Sequence, residues 1–377
     1  MRELMPTHKR LTILVVFLGV TAMLFWSGSR YPSLDEKAIM GGQAALEDPI
    51  TFEATLQAQP SDNVGTRIFY STVNWIETNL EGMAFGLVVG ACLLTIITSL
   101  PVRGHSNGFV NTLLGVGIGT PLGVCVNCAA PVAKGMHDAG ARLETTLATM
   151  FSSPTLNIVI ISMLFSIFPL YIIVIKLAFT IGFIVFLLPM LCRWVFSHER
   201  LATYHDSQCP IPQITRRPTD QSWFAVLQSV FVDLVRSLIY IGIRTIPLML
   251  LAGLLGAVVA NVMPLTEMVA TETTLLSLMT VALIGIFLPV PVAFDIVVVA
   301  VLITAGAPTA YSMTLLFTLG IFSIYPFGII WTSISRRVAI TLTIVLVILG
   351  MAAGLVAQEF HQAELDEMFE YLEQQNE

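Results

Sequence analysis

Residues 121–135 read PLGVCVNCAAPVAKG, which places two cysteines, two prolines, an asparagine and a lysine within a long apolar region. Pro121 and Pro131 lack the backbone N–H that a helix needs, and Gly123 weakens a helix further. At membrane depth, unpaired backbone groups are tolerated only where protein or a water-filled cavity surrounds them. The stretch therefore predicts a broken membrane segment that faces a protein-lined path.

The composition of the chain is typical of a membrane protein. Of its 377 residues, 55% are hydrophobic and 11% are charged, whereas a soluble domain carries about 25% charged residues. Apolar runs recur at the length that crosses a bilayer, about 20 residues. We predict an all-α integral membrane protein with about eight to nine hydrophobic segments.

Charge and motifs exclude several classes of function. The net charge is −7 and the acids lie mainly in residues 35–81 and after Glu359, so no basic face for nucleic acid is predicted. The chain has no GxxxxGK[ST] or HExxH motif; these motifs are typical of ATP use and of metalloproteases. We predict that the protein is not an enzyme and needs no cofactor.

Polar and apolar stretches divide the chain into six parts. Residues 1–26 hold an apolar run after Lys9 and Arg10 with a poor cleavage site, so we predict a retained membrane anchor rather than a cleaved signal peptide. The other parts are predicted as an extracytoplasmic polar segment (27–79), a first membrane repeat (80–191), a cytoplasmic linker (192–222), a second membrane repeat (223–357) and an acidic tail (358–377).

Short matches indicate that the two membrane parts are copies of one unit. The APVA of residues 130–133 returns as VPVA at 290–293, and residues 138–151 return loosely at 304–317. Basic residues in short loops favour the cytoplasm, and the linker is basic. The linker is cytoplasmic if the cysteine segment is re-entrant, which gives each half an odd number of crossings. The prediction is therefore a pair of inverted repeats with broken or re-entrant helices.

The cysteine pair carries the most specific chemistry in this region. Cys125 and Cys128 share one face if the local chain is helical, and two thiols can chelate a soft centre such as trivalent arsenic or a soft metal ion. The alternatives are a redox disulfide and inert packing of two small apolar side chains. With their neighbours they give four predicted substrate-binding residues: Cys125, Asn127, Cys128 and Pro131.

A second polar break lies in TMFSSPTLNIVI, residues 149–160. Pro154 opens the helical ladder inside an apolar segment. The neighbouring Ser153 and Asn157 can either satisfy the freed backbone groups or coordinate a substrate. We predict Ser153, Pro154 and Asn157 as further substrate-binding residues.

Two charged residues are predicted to couple transport to an ion. Asp295 is a single acid deep in an apolar run, and such residues are functional candidates by default. Lys134 lies near the cysteine pair and either marks a headgroup boundary or carries protons or guides an anion. The alternative for Asp295 is an ion pair with one basic residue of the apolar runs, namely Lys176, Arg236 or Arg244.

Residues 119–157 resemble the predicted permease family that includes the organoarsenical efflux permeases. That family carries a cysteine pair before a PVA-like turn, then a glycine hairpin and an SP..N signature; its segment layout corresponds to about residues 80–357. It usually places its cysteines one residue apart, whereas Val126 and Asn127 separate them here. The residues that match its pattern are Cys128, Pro131, Gly140, Ser153, Pro154 and Asn157.

The resemblance implies a multi-pass permease of the bacterial inner membrane that exports a small molecule or ion. In the arsenical members the solute is a trivalent methylated arsenical. One alternative is a membrane thiol–disulfide electron conductor, which needs a cysteine in each half, whereas the second half reads LPVPVAF. Another is a membrane scaffold, which the intramembrane polar residues disfavour. The partners implied are the solute and the lipid bilayer; the oligomeric state, a homo-oligomer included, stays open.

Overall fold

The computed structural model describes residues 8–30, 54–59, 61–99, 105–197, 222–262, 273–291, 293–304 and 306–376. Most of the predicted linker 192–222 and part of the predicted polar segment 27–79 lie outside these residues. The described residues form helices and no strands, so the prediction of an all-α protein is confirmed.

The helices are numbered in chain order. They are α1 (His8–Phe25), α2 (Val64–Ser99), α3 (Gly108–Leu122), α4 (Val126–Asp138), α5 (Leu143–Thr155), α6 (Ile158–Ile167), α7 (Leu170–Ile181), α8 (Leu188–Trp194), α9 (Trp223–Val262), α10 (Leu275–Phe287), α11 (Phe294–Thr304), α12 (Thr309–Thr318), α13 (Ile324–Ser333) and α14 (Arg336–Asn376). A π-helical turn follows α1 (Trp26–Arg30), and another joins α7 to α8 (Gly182–Leu187).

Six stretches within the described residues are long and apolar enough to cross a bilayer. They are His8–Gly28, Val64–Ile96, Leu143–Ile167, Leu170–Trp194, Trp223–Val258 and Arg336–Glu364. Helices α3, α10 and α11 are apolar but shorter than the about 20 residues that a crossing needs. The protein is thus a multi-pass membrane protein in which short helices lie among long ones.

The first long helix of the membrane part begins earlier than the boundary predicted at residue 80. Helix α2 begins at Val64, after Asn63, whose Oδ1 accepts a hydrogen bond from the Thr66 amide at 2.7 Å. This helix includes polar residues because their hydrogen bonds are made within the protein. Asn79, for example, donates to the Trp75 carbonyl at 2.9 Å. The predicted polar segment thus ends in the first turns of a membrane helix.

The two halves repeat one order of elements at a spacing of 166 residues. Gly140 turns the chain between α4 and α5, and Gly306 turns it between α11 and α12. Both glycines have left-handed φ values, +86° and +84°, which a glycine adopts at little cost. The residue after each glycine donates its amide to a carbonyl at the end of the preceding helix, at 3.0 and 2.9 Å.

The same spacing relates the caps of two later helices. Asn157 caps α6, where its side chain accepts from the Ile160 amide at 3.0 Å, and Ser323 caps α13 in the same way. The match of 130–133 with 290–293 does not follow this spacing: the first lies inside α4, whereas the second lies before α11. That interpretation was wrong because short words of Ala, Val and Pro recur in apolar sequence without structural equivalence.

Helix α4 packs closely on α2 through Gly82, Gly86 and Gly90 of the latter. A Cβ atom at Gly90 would lie 2.7 Å from the Pro131 carbonyl oxygen, and one at Gly82 would lie 2.9 Å from the Cys128 sulfur. Glycines at this spacing let two helix backbones approach. The contact fixes the position of the cysteine-bearing helix against a long membrane helix.

Candidate functional site

The site lies where two breaks in the helices meet. The first break runs between α3 and α4 and contains Gly123, with φ +55°. The second runs between α10 and α11 and ends at Ala293, whose φ of +62° is left-handed. A side chain in that conformation costs about 1–2 kcal/mol, so the surrounding structure must hold it. The second break is tied to α2, because the Trp75 indole N–H donates to the Pro289 carbonyl.

Asn127 bonds to the second half of the protein through both ends of its amide. Its Nδ2 donates to the Val290 carbonyl at 3.2 Å, and its Oδ1 accepts from Ser323 Oγ at 2.6 Å. The side chain is fully buried, where an unmade hydrogen bond would be costly. Asn127 therefore fixes the first half of the protein to the second half beside the cysteine pair.

Cys125 and Cys128 lie at the start of α4, and their sulfurs are paired. The Cα atoms are 5.2 Å apart, within the range that disulfides span. Cys125 caps the helix, and its sulfur accepts from the Cys128 amide at 3.3 Å. Both side chains are buried. The structure thus places the two sulfurs on one side of the helix start, as the spacing predicts.

The second polar break supports the first. Ser153 Oγ accepts from the Val124 amide at 3.1 Å and donates to the Val124 carbonyl at 3.3 Å. Asn157 Nδ2 in turn donates to the Ser153 carbonyl at 2.8 Å. In the structure these side chains satisfy freed backbone groups, which is one of the two roles that the sequence leaves open. They also hold the residue that precedes Cys125.

A small cavity separates the two breaks. It is lined by Cys125, Val126, Pro154, Val290, Pro291, Ala293, Asp295 and Gly320. The volume open to the centre of a water molecule is about 10 Å³, which is room for about one water. Residues 125, 126 and 154 come from the first half and the others from the second. The cavity brings together three of the predicted site residues: Cys125, Pro154 and Asp295.

Asp295 forms a buried ion pair at the edge of this cavity. Its Oδ2 accepts from Lys176 Nζ at 2.8 Å, and both residues are at most 5% exposed. The pair joins α11 to α7. Asp295 fits there because Gly320 has no side chain: a Cβ atom at Gly320 would lie 2.7 Å from the carboxylate. The alternative partner that the sequence offers is therefore present, and the coupling role stays a prediction.

Six predicted site residues do not line the cavity, namely Asn127, Cys128, Pro131, Lys134, Ser153 and Asn157. Lys134 is buried at the other end of α4, where its ammonium donates to Asp138 Oδ2 at 2.8 Å and lies 5.6 Å from the Tyr240 ring centroid. Pro131 faces Gly90 of α2. Neither side chain lines the cavity, although both lie on the helix that Cys125 begins.

Sequence reasoning missed most of the second half of the site. The missed residues are the lining residues Val290, Pro291, Ala293 and Gly320 and the bridging Ser323. One signal could have found two of them. Gly320 and Ser323 stand 166 residues after Pro154 and Asn157, so the spacing of the glycine hairpins, carried further, leads to them.

The arrangement combines soft and hard ligands around one space. Sulfur binds soft centres, whereas a carboxylate binds hard cations or a proton. No group of three or more His, Cys, Asp or Glu that could hold a metal ion occurs among the residues that the structure describes. The site thus places a cysteine sulfur beside a buried ion pair.

Known proteins match this chain over the region of the site. The predicted permease family ArsP_1 matches residues 79–359, which include both breaks and the cavity. The UPF0718 protein YraQ of Escherichia coli (strain K12) is 26% identical over 243 residues, which cover 63% of this chain and 66% of YraQ, just under two thirds of that relative. No solved structure matches the chain. The family match spans well over half of the sequence, and the chain belongs to the predicted permease family ArsP_1.

Proposed function

We propose that this membrane permease exports a small thiol-reactive solute, and that trivalent organoarsenicals are the class it carries. The observation that carries the proposal is the shared cavity: Cys125 reaches it from one half and Asp295 from the other. Transporters built from two repeats bind their solutes at broken helices between the repeats. A sulfur ligand at that place favours a soft solute.

The cysteine pair binds such a solute in its dithiol form. A trivalent arsenical with two hydroxyl groups exchanges each arsenic–oxygen bond for an arsenic–sulfur bond, and each thiol proton leaves with a hydroxyl group as water. No electrons are transferred. The reducing cytoplasm keeps thiols in this form, so the solute is loaded from the cytoplasmic side.

Coupling is assigned to the ion pair of Asp295 and Lys176. No ATP-binding motif is present in the sequence, so an ion gradient supplies the energy. A proton or cation that binds the carboxylate competes with the ammonium of Lys176 and changes the charge beside the solute. Lys134, paired with Asp138 at the other end of α4, is a second coupling residue in this proposal.

The electron-conductor alternative has less support. The cysteines outside the pair within the described residues are Cys92 and Cys192, both buried, and neither lines the cavity. A conductor would need a second thiol there to receive the electrons. A scaffold role gives no account of a carboxylate, an ammonium and two sulfurs brought to one point.

Uptake into everted inner-membrane vesicles tests the proposal. We expect energised vesicles to accumulate trivalent methylarsenicals and phenylarsenicals, and to exclude their pentavalent forms, which do not exchange hydroxyl groups for thiols in this way. Vesicles without the protein are the control. Equal uptake of both oxidation states, or uptake of neither, would contradict the assignment of the solute.

The proposed topology has its own measurement. We expect inverted repeats in the inner membrane, with the linker 192–222 cytoplasmic and the tail 358–377 extracytoplasmic. In a chain without native cysteines, a membrane-impermeant maleimide added outside intact cells should label Gln375→Cys and not Thr219→Cys. Thr219 lies outside the described residues; Gln375 belongs to α14. Strong labelling at position 219 would rule out the re-entrant arrangement.

A further inference from the structure

We propose that α1 is a retained part of the transport unit, and that Trp26, which begins the π-helical turn after α1, covers the break before Cys125 and separates it from lipid. The helix lies outside the residues that the permease family matches, 79–359. The inference goes beyond the proposed function, since it concerns access to the site and not the identity of the solute.

A buried ion pair fixes the first turn of α1 to the membrane part. Arg10 Nη2 donates to Asp233 Oδ2 of α9 at 2.6 Å, and the two side chains are 10% and 4% exposed. Among the described residues, Arg236 also lies near Asp233, at 4.0 Å and with a side chain 56% exposed. Removing one member of a buried pair leaves an uncompensated charge. Cleavage after α1 would remove Arg10 from its pair with Asp233. The ion pair therefore supports the view that α1 stays attached to the protein.

The far end of α1 reaches the first break. The Phe25 ring stacks on Phe85 of α2 with centroids 4.0 Å apart. The Trp26 indole lies directly against Gly123, so closely that a Cβ atom at Gly123 would overlap the ring. Gly123 ends α3 and lies two residues before Cys125. Trp26 therefore contacts the backbone of the break itself.

The opposite side of α1 is open. Only 11% of its apolar stretch is buried inside the protein. Val20, Met23 and Leu24 are each more than half exposed. In a membrane these side chains face lipid, so α1 stands between lipid and the break. Freed backbone groups at membrane depth require such cover, and an indole ring supplies a large apolar area for it.

Thiol labelling in membranes tests the cover without reference to any solute. The starting protein keeps Cys125 and Cys128, reduced, with its other cysteines replaced by alanine. We expect Trp26→Ala to raise the rate of labelling by a lipid-soluble maleimide severalfold, while labelling by a sulfonated maleimide changes little. Trp26→Phe should restore slow labelling. Trp194→Ala is the matched control, because that indole is 67% exposed on α8 and should leave the rate unchanged.

Three results would overturn the proposal. Purified protein whose amino terminus lies beyond residue 26 would show that α1 is removed. Equal labelling of Trp26→Ala and the starting protein would show that the indole does not cover the break. If Trp26→Ala does not accumulate, Trp26→Leu gives the same comparison, and loss of every Trp26 variant from the membrane would reduce α1 to a folding element. None of these results bears on the solute.

Discussion

Replacing Cys125 and Cys128 together by serine is expected to reduce uptake of trivalent arsenicals to the level of vesicles without the protein. A serine hydroxyl has nearly the shape of the thiol but is a hard, weak ligand for arsenic. The fold should persist, because serine is a favoured N-cap and can replace the Cys125 sulfur that now caps α4. The measurement is initial uptake at equal amounts of inserted protein.

Single variants and a matched control sharpen this result. Cys125→Ser and Cys128→Ser each leave one sulfur, so the solute loses chelation and both should transport far more slowly than the native protein. Cys192→Ser is the control, since this cysteine lies outside the pair, is fully buried and does not line the cavity. If the double variant transports its solute at the native rate, the two cysteines are packing residues and the arsenical assignment fails.

Asp295→Asn is expected to abolish gradient-driven accumulation. The substitution removes the only ionisable side chain among the cavity-lining residues other than the paired Cys125. It also leaves Lys176 buried without its carboxylate partner, which costs about 3–5 kcal/mol when a buried pair is broken on one side. Loss of transport by this variant alone could therefore result from lost coupling or from lost stability. A second variant is needed to distinguish the two effects.

The neutral pair Asp295→Asn with Lys176→Met makes that separation. Replacing both members of a buried pair is often neutral for stability, so the double variant should insert as well as the native protein. We expect it to lose the response to an imposed ion gradient, with any remaining flux running downhill. The exchanged pair, Asp295→Lys with Lys176→Asp, should also stay uncoupled. Full gradient-dependent transport by the neutral pair would reassign Asp295 and Lys176 to structure.

The parts of the fold that could be predicted are those that local chemistry determines. Long apolar runs with few charges specify membrane helices, and Pro121, Gly123 and Pro154 specify where they break. The hairpin glycines Gly140 and Gly306 were within reach because left-handed backbone restricts the choice of residue. The all-α class, the first break and the family resemblance follow from these signals.

The other half of the site carries no comparable signal. In the second break, Val290, Pro291 and Ala293 line the cavity, and residue types of this kind resemble any apolar loop. The pairing of Lys176 with Asp295 joins positions 119 residues apart, and nothing local selects that lysine over the other basic residues. Helix α2 starts early for a related reason: Asn74 is satisfied by the backbone of Leu56, a contact made only in the folded protein.

The unlike halves of the cavity bear on how such a chain could have evolved. At the 166-residue spacing, Cys125 corresponds to Pro291 and Asp295 corresponds to Ala129. A duplicated ancestor assembled from two identical units would have presented the same ligand twice. Here the first half brings a sulfur to the cavity and the second half a carboxylate, so neither half supplies the whole lining. A single polypeptide guarantees that each sulfur-bearing half meets an acid-bearing one.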